Sequence, residues 1–171
     1  MSQGRDPGHA PTVAVTGLNA TDNPAPGGGV IRALRADPAF SGRIVGLAYD
    51  SLDPGIYDPG LADEVYVLPY PSAGREALLD RIAEVVELSG AEVLLPTLDA
   101  ELPALIDSRE RLARLGLAAM LPGREQFEAR SKARLGRLGE LAGVSVPRSL
   151  QVFETRDLLE ALEDLKPPVV V

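Results

Sequence analysis

Apolar positions along the chain keep two rhythms, short β-branched runs and longer stretches spaced by three and four, and their alternation predicts strands and helices in turn. TVAVTG (12–17) reads as a first strand running into a polar, glycine- and proline-rich loop, LNATDNPAPGGG (18–29). Val30, Ile31 and Leu34 then resume helical spacing, so the opening unit is strand, loop, helix. RIVGLAYD (43–50) is a second strand ending in Asp50, SLDPGIYDPG is a turn-rich connection, and EVYVLP (64–69) is a short third strand. REALLDRIAEVVELSG (75–90) sets Leu78, Leu79, Ile82, Val85 and Val86 on one helical face and stops at Gly90. EVLLP (92–96) is the fourth strand, its near-continuous apolar run suiting a sheet covered on both sides. ELPALIDSRERLARLG (101–116) predicts one helix, with Pro103 in its first turn or displacing its start. LAAML (117–121) is apolar enough for an inner strand despite weak strand propensity.

This repetition over residues 12–121 predicts an α/β fold, an open and mainly parallel sheet with flanking crossover helices. The rhythm changes after Pro122. Phe127, Leu135, Leu138 and Leu141 mark two short helices ending near Gly143, VPRSLQVFE (146–154) reads as extended, and TRDLLEALEDL (155–165) is amphipathic. KPPVVV opens what reads as another strand, so a continuation beyond Val171 is expected. The expected organisation is a disordered tail over 1–11, an α/β domain over 12–122 and the opening of a second domain over 123–171.

A length of 171 residues suits one full domain plus a fragment. Seventeen Lys and Arg against 25 Asp and Glu give a net charge of −8, which argues against nucleic acid or an anionic membrane as partner. The absence of cysteine excludes disulfides, thiolate catalysis and thiolate-bound metal, and the single histidine, His9, cannot build a multi-histidine centre. No apolar run approaches the length of a membrane span, and MSQGRDPGHAP has no apolar signal section, so a cytoplasmic protein is expected.

Chemistry concentrates at the strand ends. A glycine cluster between a first strand and a helix lets backbone approach a ligand, or simply forms a tight turn that seats the helix. Gly17 with Gly27, Gly28 and Gly29 matches neither the dinucleotide fingerprint nor the phosphate loop, although Asp50 stands where a dinucleotide fold places its ribose-binding acid. PTLDAEL (96–102) closes the fourth strand with Asp99 and Glu101, at the sheet edge where open α/β folds bind ligands. Either acid suits an ammonium or guanidinium group or the holding of a neighbouring loop, and Asp99 equally suits a helix N-cap. Arg124, Arg130, Lys132, Arg134 and Arg137 form a basic segment that could meet phosphates or balance Glu125 and Glu128 on a helix surface.

Taken together, VAVTGLNA with GGGVIRALR, then GLAYDSLDPGIYDPGLADEVYVLPYP, then AEVLLPTLDAEL through GVSVPRSLQV, and finally PPVVV, resemble the start of an ATP-grasp enzyme of the carbamoyl-phosphate-synthase and biotin-carboxylase type. The resemblance covers nearly all of residues 12–171. It implies a Rossmann-like pre-ATP-grasp domain that helps form the substrate site, followed by the beginning of a subdomain that clamps ATP and Mg2+. In such enzymes ATP phosphorylates a carboxylate or bicarbonate, and an amine attacks the acyl phosphate. By resemblance, Lys132 approaches the ATP phosphates, with Ser131 standing where an aspartate is common. Glu101 resembles the acid facing the substrate crevice, and Gly17, Asn19, Gly28, Gly29 and Asp99 belong with it at the acceptor site. The later lysine, glycine-rich flap and acidic magnesium ligands of the family are not in these residues, so the chain by itself is expected to be inactive.

The leading expectation is thus the substrate-site portion of an ATP-dependent carboxylate–amine or bicarbonate-activating ligase. Its partners would be small-molecule acids and amines and a C-terminal ATP-grasp region, in cis or as a second chain. A stand-alone Rossmann-like protein binding a nucleotide or small metabolite, and a structural subunit of a split enzyme, are the alternatives. Neither composition nor spacing fixes the oligomeric state, and a homodimer stays open.

Overall fold

The β-branched run TVAVT forms β1 (Thr12–Thr16), all five of whose residues are buried. Both faces of this strand are therefore covered, as a central parallel strand requires. The structure is a computed structural model and describes residues 9–20, 24–131 and 134–165. Most of the expected tail, Lys132 and the KPPVVV run lie outside the described residues. His9, the first part of that tail to be described with a contact, places Nε2 2.5 Å from Glu92 Oε1.

β2 (Arg43–Ala48) and β4 (Val93–Leu95) flank β1, while β3 (Glu64–Val67) and β5 (Ala118–Ala119) form the edges, giving the order β3-β2-β1-β4-β5. Every pairing is parallel, with Val13 opposite Ile44 on one side and Val93 on the other. The expected open α/β sheet is present. The fifth strand is shorter than LAAML predicts, only two residues long, because alanine contributes little to a sheet face and Met120 turns out to solvent.

The connecting helices are α1 (Gly27–Ala36), α2 (Arg75–Ser89), α3 (Leu102–Asp107) and α4 (Arg109–Arg114). Right-handed crossovers carry α1 to one face and α2, α3 and α4 to the other. Side chains agree with that assignment. Val13 and Val15 meet Ile31 of α1 in one cluster with Ile44 and Ala48. Arg111 of α4 lies 3.0 Å from Glu76 and 2.5 Å from Asp80 of α2, as neighbours on one face can. Leu78, Leu79, Ile82 and Val85 of α2 are buried, and Gly90 closes that helix at φ +69°.

Two expectations change. The predicted helix over 101–116 is broken at Ser108, whose φ of −115° and ψ of 19° leave the helical region. Leu105, Ile106 and Leu112 stay buried on either side, so the apolar spacing carries no sign of the break. The glycine cluster is not loop but the first turn of α1, which begins at Gly27. The reason is contact distance: a Cβ on Gly27 would stand 2.0 Å from Thr16 O and 2.3 Å from Gly17 O. Only glycine lets the helix start so close to the end of β1.

The chain divides into two units, Met1–Leu121 and Pro122–Val171. In the second, α5 (Arg124–Ala129) and α6 (Leu135–Ala142) are followed by an irregular stretch and then α7 (Thr155–Leu165). The expected extended segment 146–154 joins no sheet among the described residues. Instead, Gly143 turns the chain at φ +65°, and Arg148 pairs with the Asp164 carboxylate while its Nη1 donates to Asp164 O at 3.2 Å. No helix among the described residues is long and apolar enough to cross a membrane.

Two measurements check this packing. In urea unfolding, Gly27→Ala should lose about 2 kcal/mol or more through overpacking, while Gly29→Ala, with nothing within 4 Å of its Cβ position, should gain up to about 1 kcal/mol. Asp63 concerns acid stability. Partial burial works to raise its carboxyl, but the Ile44 N–H at 2.7 Å and the Arg35 guanidinium at 2.8 Å outweigh this and hold it below the usual value. A depressed folded-state value gives stability that is full above the unfolded value near ~4 and lost as pH falls through the folded one. Asp63→Asn should therefore flatten the acid limb of the stability–pH curve below about pH 4, measured by urea midpoint.

Candidate functional site

At the carboxyl end of β1 the hydroxyl of Thr16 accepts the Thr97 N–H at 2.8 Å, and Thr97 Oγ1 also donates to Thr16 O at 2.9 Å. This pair of bonds locks the ends of β1 and β4 together. Thr16 Oγ1 then donates to Glu101 Oε1 at 2.6 Å, and the Leu98 N–H reaches the same oxygen at 2.9 Å. The other carboxylate oxygen of Glu101 accepts a short hydrogen bond from Tyr49 OH. Glu101 is fully buried and meets no cation among the described residues. Burial holds the Tyr49 phenol far above its ordinary value, and the adjacent Glu101 charge and hydrogen bond act in the same direction. Tyr49 thus stays protonated and remains a donor.

Above this buried lock lies an open cavity of about 440 Å³. It is lined from the β1 loop by Asn19 and Ala20, from the segment after β2 by Tyr49, Asp50, Leu52, Asp53 and Pro54, from the segment after β3 by Tyr70 and Pro71, and from the β4 turn by Leu98 and Ala100. Its position is the one topology favours. β1 is followed by β2 on one side and has β4 on the other, and ligands of open α/β sheets bind outside the carboxyl ends at such a reversal. The volume also falls in the range of small-molecule sites.

The wall after β2 is held by Asp53, whose Oδ2 accepts the backbone N–H groups of Tyr49 at 3.0 Å and Asp50 at 3.3 Å. Asp50 in turn accepts the Leu52 N–H at 2.9 Å and Tyr70 OH at 3.1 Å. The rings of Tyr49 and Tyr70 stack with centroids 6.0 Å apart and planes inclined by 22°. The Tyr70 phenol is raised by its hydrogen bond to Asp50, then by desolvation and by the charges of Asp50 and Asp53. Asn19 contributes a side-chain Oδ1 that is out of solvent and accepts no hydrogen bond among the described residues.

The residues singled out in the sequence separate here into three groups. Asn19 and Asp50 line the cavity. Glu101 does not face the crevice as the resemblance implies: its carboxylate points beneath the floor, where three donors already occupy it. Asp99 sits at the exposed tip of the turn between Leu98 and Ala100, and the N-cap position of α3 falls to Glu101 instead. Gly17 is the left-handed exit from β1, at φ +75°, with Thr97 Oγ1 only 2.3 Å from a would-be Cβ. Gly28 and Gly29 lie in the first turn of α1. Tyr49, Asp53 and Tyr70 were not singled out as site residues. The signal for them is faint: an aspartate three residues beyond a strand end, and a tyrosine beside proline in YVLPYP.

In the second unit, Arg130 stacks over Phe127 at 4.7 Å, and Arg134 and Arg137 border a shallow apolar groove with Leu138 and Leu141. Lys132 lies outside the described residues. Among the described residues no three acidic or histidine side chains converge as a metal centre, so the residues placed here do not fit a magnesium site.

Comparison with solved structures identifies the fold. The biotin carboxylase domain of a single-chain bacterial carboxylase matches with a TM-score of 0.52 at 21% identity, over 90% of this chain and 34% of that one. The biotin carboxylase domain of Hydrogenobacter thermophilus 2-oxoglutarate carboxylase, solved with MgADP, ADP and bicarbonate, gives 0.51 at 18% identity over 92% and 33%. An L-amino acid ligase from Bacillus licheniformis gives 0.53 at 15% identity over 90% and 42%. These are ATP-grasp enzymes, and the fold of this chain is that of the N-terminal part of such proteins. The chain spans roughly a third to two fifths of their lengths. No protein-family model and no curated protein matches the sequence.

The buried lock can be probed by substitution. Glu101→Leu strands the Tyr49, Thr16 and Leu98 donors, each at about 1–3 kcal/mol, and should lower stability by more than Tyr49→Phe, which removes one donor from a buried carboxylate and is expected to cost about 1.5–3 kcal/mol. Urea midpoints measured at neutral pH check the order, and equal losses would contradict the central place given to Glu101.

Proposed function

We propose that the chain is the N-terminal, substrate-site portion of an ATP-dependent ligase that joins a carboxylate or bicarbonate to an amine through an acyl phosphate. The observation that carries this reading is the cavity at the carboxyl ends of β1 and β2, set in a fold shared with carboxylase and ligase ATP-grasp enzymes. The carbamoyl-phosphate-synthase-like assignment, a cytoplasmic location and an association with a C-terminal ATP-grasp region, in cis or in trans, are parts of the same proposal.

The roles divide accordingly. Asn19 and Asp50 contact the acceptor substrate, whereas Gly17, Gly28, Gly29, Asp99 and Glu101 shape the loops that bound it. Lys132 assists the ATP phosphates, with magnesium held by residues of the longer assembly. Without those residues no charge clamp surrounds the transferring phosphoryl group, so the 171-residue chain by itself should not turn over ATP.

The test is ADP release by the complete product of the gene, supplied with MgATP and panels of carboxylates and amines. ADP formation that needs both co-substrates, with KM for ATP raised roughly tenfold in Lys132→Ala, is the expected result. Saturable nucleotide binding without any co-substrate-dependent ADP formation would sink the ligase reading in favour of a binding protein.

A further inference from the structure

Among the described residues the cavity presents acceptors and no counter-cation. Neither lysine nor arginine is among the described residues that line it, and among those residues neither Asp50 nor Asp53 forms an ion pair. Carboxylates of this kind ordinarily find a partner or face bulk water, yet Asp53 is buried. Its Oδ2 is taken by two backbone donors, and the two carboxylates together still have acceptor capacity for a ligand. Asn19 Oδ1 adds an acceptor shielded from water with no donor among the described residues. An orphan of this sort calls for an explanation. The terminal amide torsion of asparagine is broad, so a donor entering the cavity can turn the amide and satisfy it.

The remaining surface is apolar and aromatic. Leu52, Leu98 and the Tyr49–Tyr70 ring pair supply it. Aromatic rings attract cations and tolerate an aliphatic or aryl body, whereas the two aspartates repel any carboxylate or phosphate that enters. The chemistry of the lining therefore selects both the sign of the ligand and its shape.

We propose that this cavity recognises a primary ammonium group carried on a compact apolar body, with Asp50 and Asn19 as its acceptors and Tyr70 as its aromatic wall. It deepens the ligase reading, on which it rests, by naming the amine-bearing substrate as the occupant of this domain. A ligand whose carboxylate adjoins the ammonium is disfavoured unless that carboxylate projects out of the cavity mouth.

The experiment is an amide NMR titration of the 171-residue chain with 2-phenylethylammonium, with 2-phenylethanol as uncharged counterpart and 3-phenylpropanoate as anion. Saturable shifts confined to residues around 19–20, 49–54, 70–71 and 98–100 are expected for the ammonium, with binding about tenfold weaker for the alcohol, as charge-assisted hydrogen bonds exceed neutral ones. Asp50→Asn should weaken the ammonium roughly fivefold to tenfold and Asn19→Asp strengthen it, with folding of each variant confirmed from its own spectrum. Equal binding of the alcohol or the anion at these amides would overturn the ammonium assignment while leaving the cavity a substrate site. Absence of saturable shifts with all three probes would overturn the assignment and the substrate-site reading together.

Discussion

The architecture depends on a carboxylate placed where carboxylates are costly. Glu101 lies under the carboxyl ends of three strands and is reached by Thr16 from β1, Tyr49 from the end of β2 and the Leu98 amide after β4. Removing a carboxylate from water is unfavourable unless its oxygens are well supplied with donors. Here the supply comes from three separate chain segments, so satisfying the carboxylate and aligning the strand ends are the same event. An apolar residue would fill the volume but would not specify the relation of β1, β2 and β4.

From that lock the site follows by proximity. Tyr49 spends its hydroxyl on Glu101 and leaves ring surface to the cavity, where Tyr70 stacks on it. Tyr70 then reaches Asp50, and Asp53 fixes the backbone that carries Tyr49 and Asp50. Each polar group in the chain of contacts thus orients the next, from the buried end outward. The close start of α1 has the same origin, because the Gly27 contact with Thr16 O and Gly17 O is made at the very strand end that Glu101 holds.

Much of the fold was legible because burial imposes a period. The β-branched residues of TVAVTG and the i, i+3, i+4 spacing of Leu78, Leu79 and Ile82 report directly on which faces are covered. What the period does not encode was missed. The break at Ser108 preserves the apolar spacing, and the helical start at Gly27 depends on a backbone approach from β1 that no local pattern contains. The site was harder still. Acidic residues at strand ends are visible, but sequence gives no measure of depth, so the residues alone leave Glu101 open between a ligand and a neighbouring loop, and it is the resemblance that points it at the crevice when it faces the interior. Asp53 carries no signal of its own in the sequence, and its part in the site lies in its two backbone partners.

The contrast between the two tyrosines shows how one cavity can be both defined and adaptable. Tyr49 is buried with its hydroxyl committed, so its wall is part of the core and cannot move without disturbing Glu101. Tyr70 is about half exposed and stands just before a single turn of 3-10 helix, and among the described residues its side chain is held by one hydrogen bond and one ring contact. Segments with few buried contacts open at low free-energy cost, while core elements open only with the whole domain. The cavity therefore has one wall set by the fold and one that can adjust to what it holds. That division follows from where the polar groups are satisfied: at the buried end every bond of the site is also a bond of the scaffold, and toward the mouth the bonds belong to the site alone.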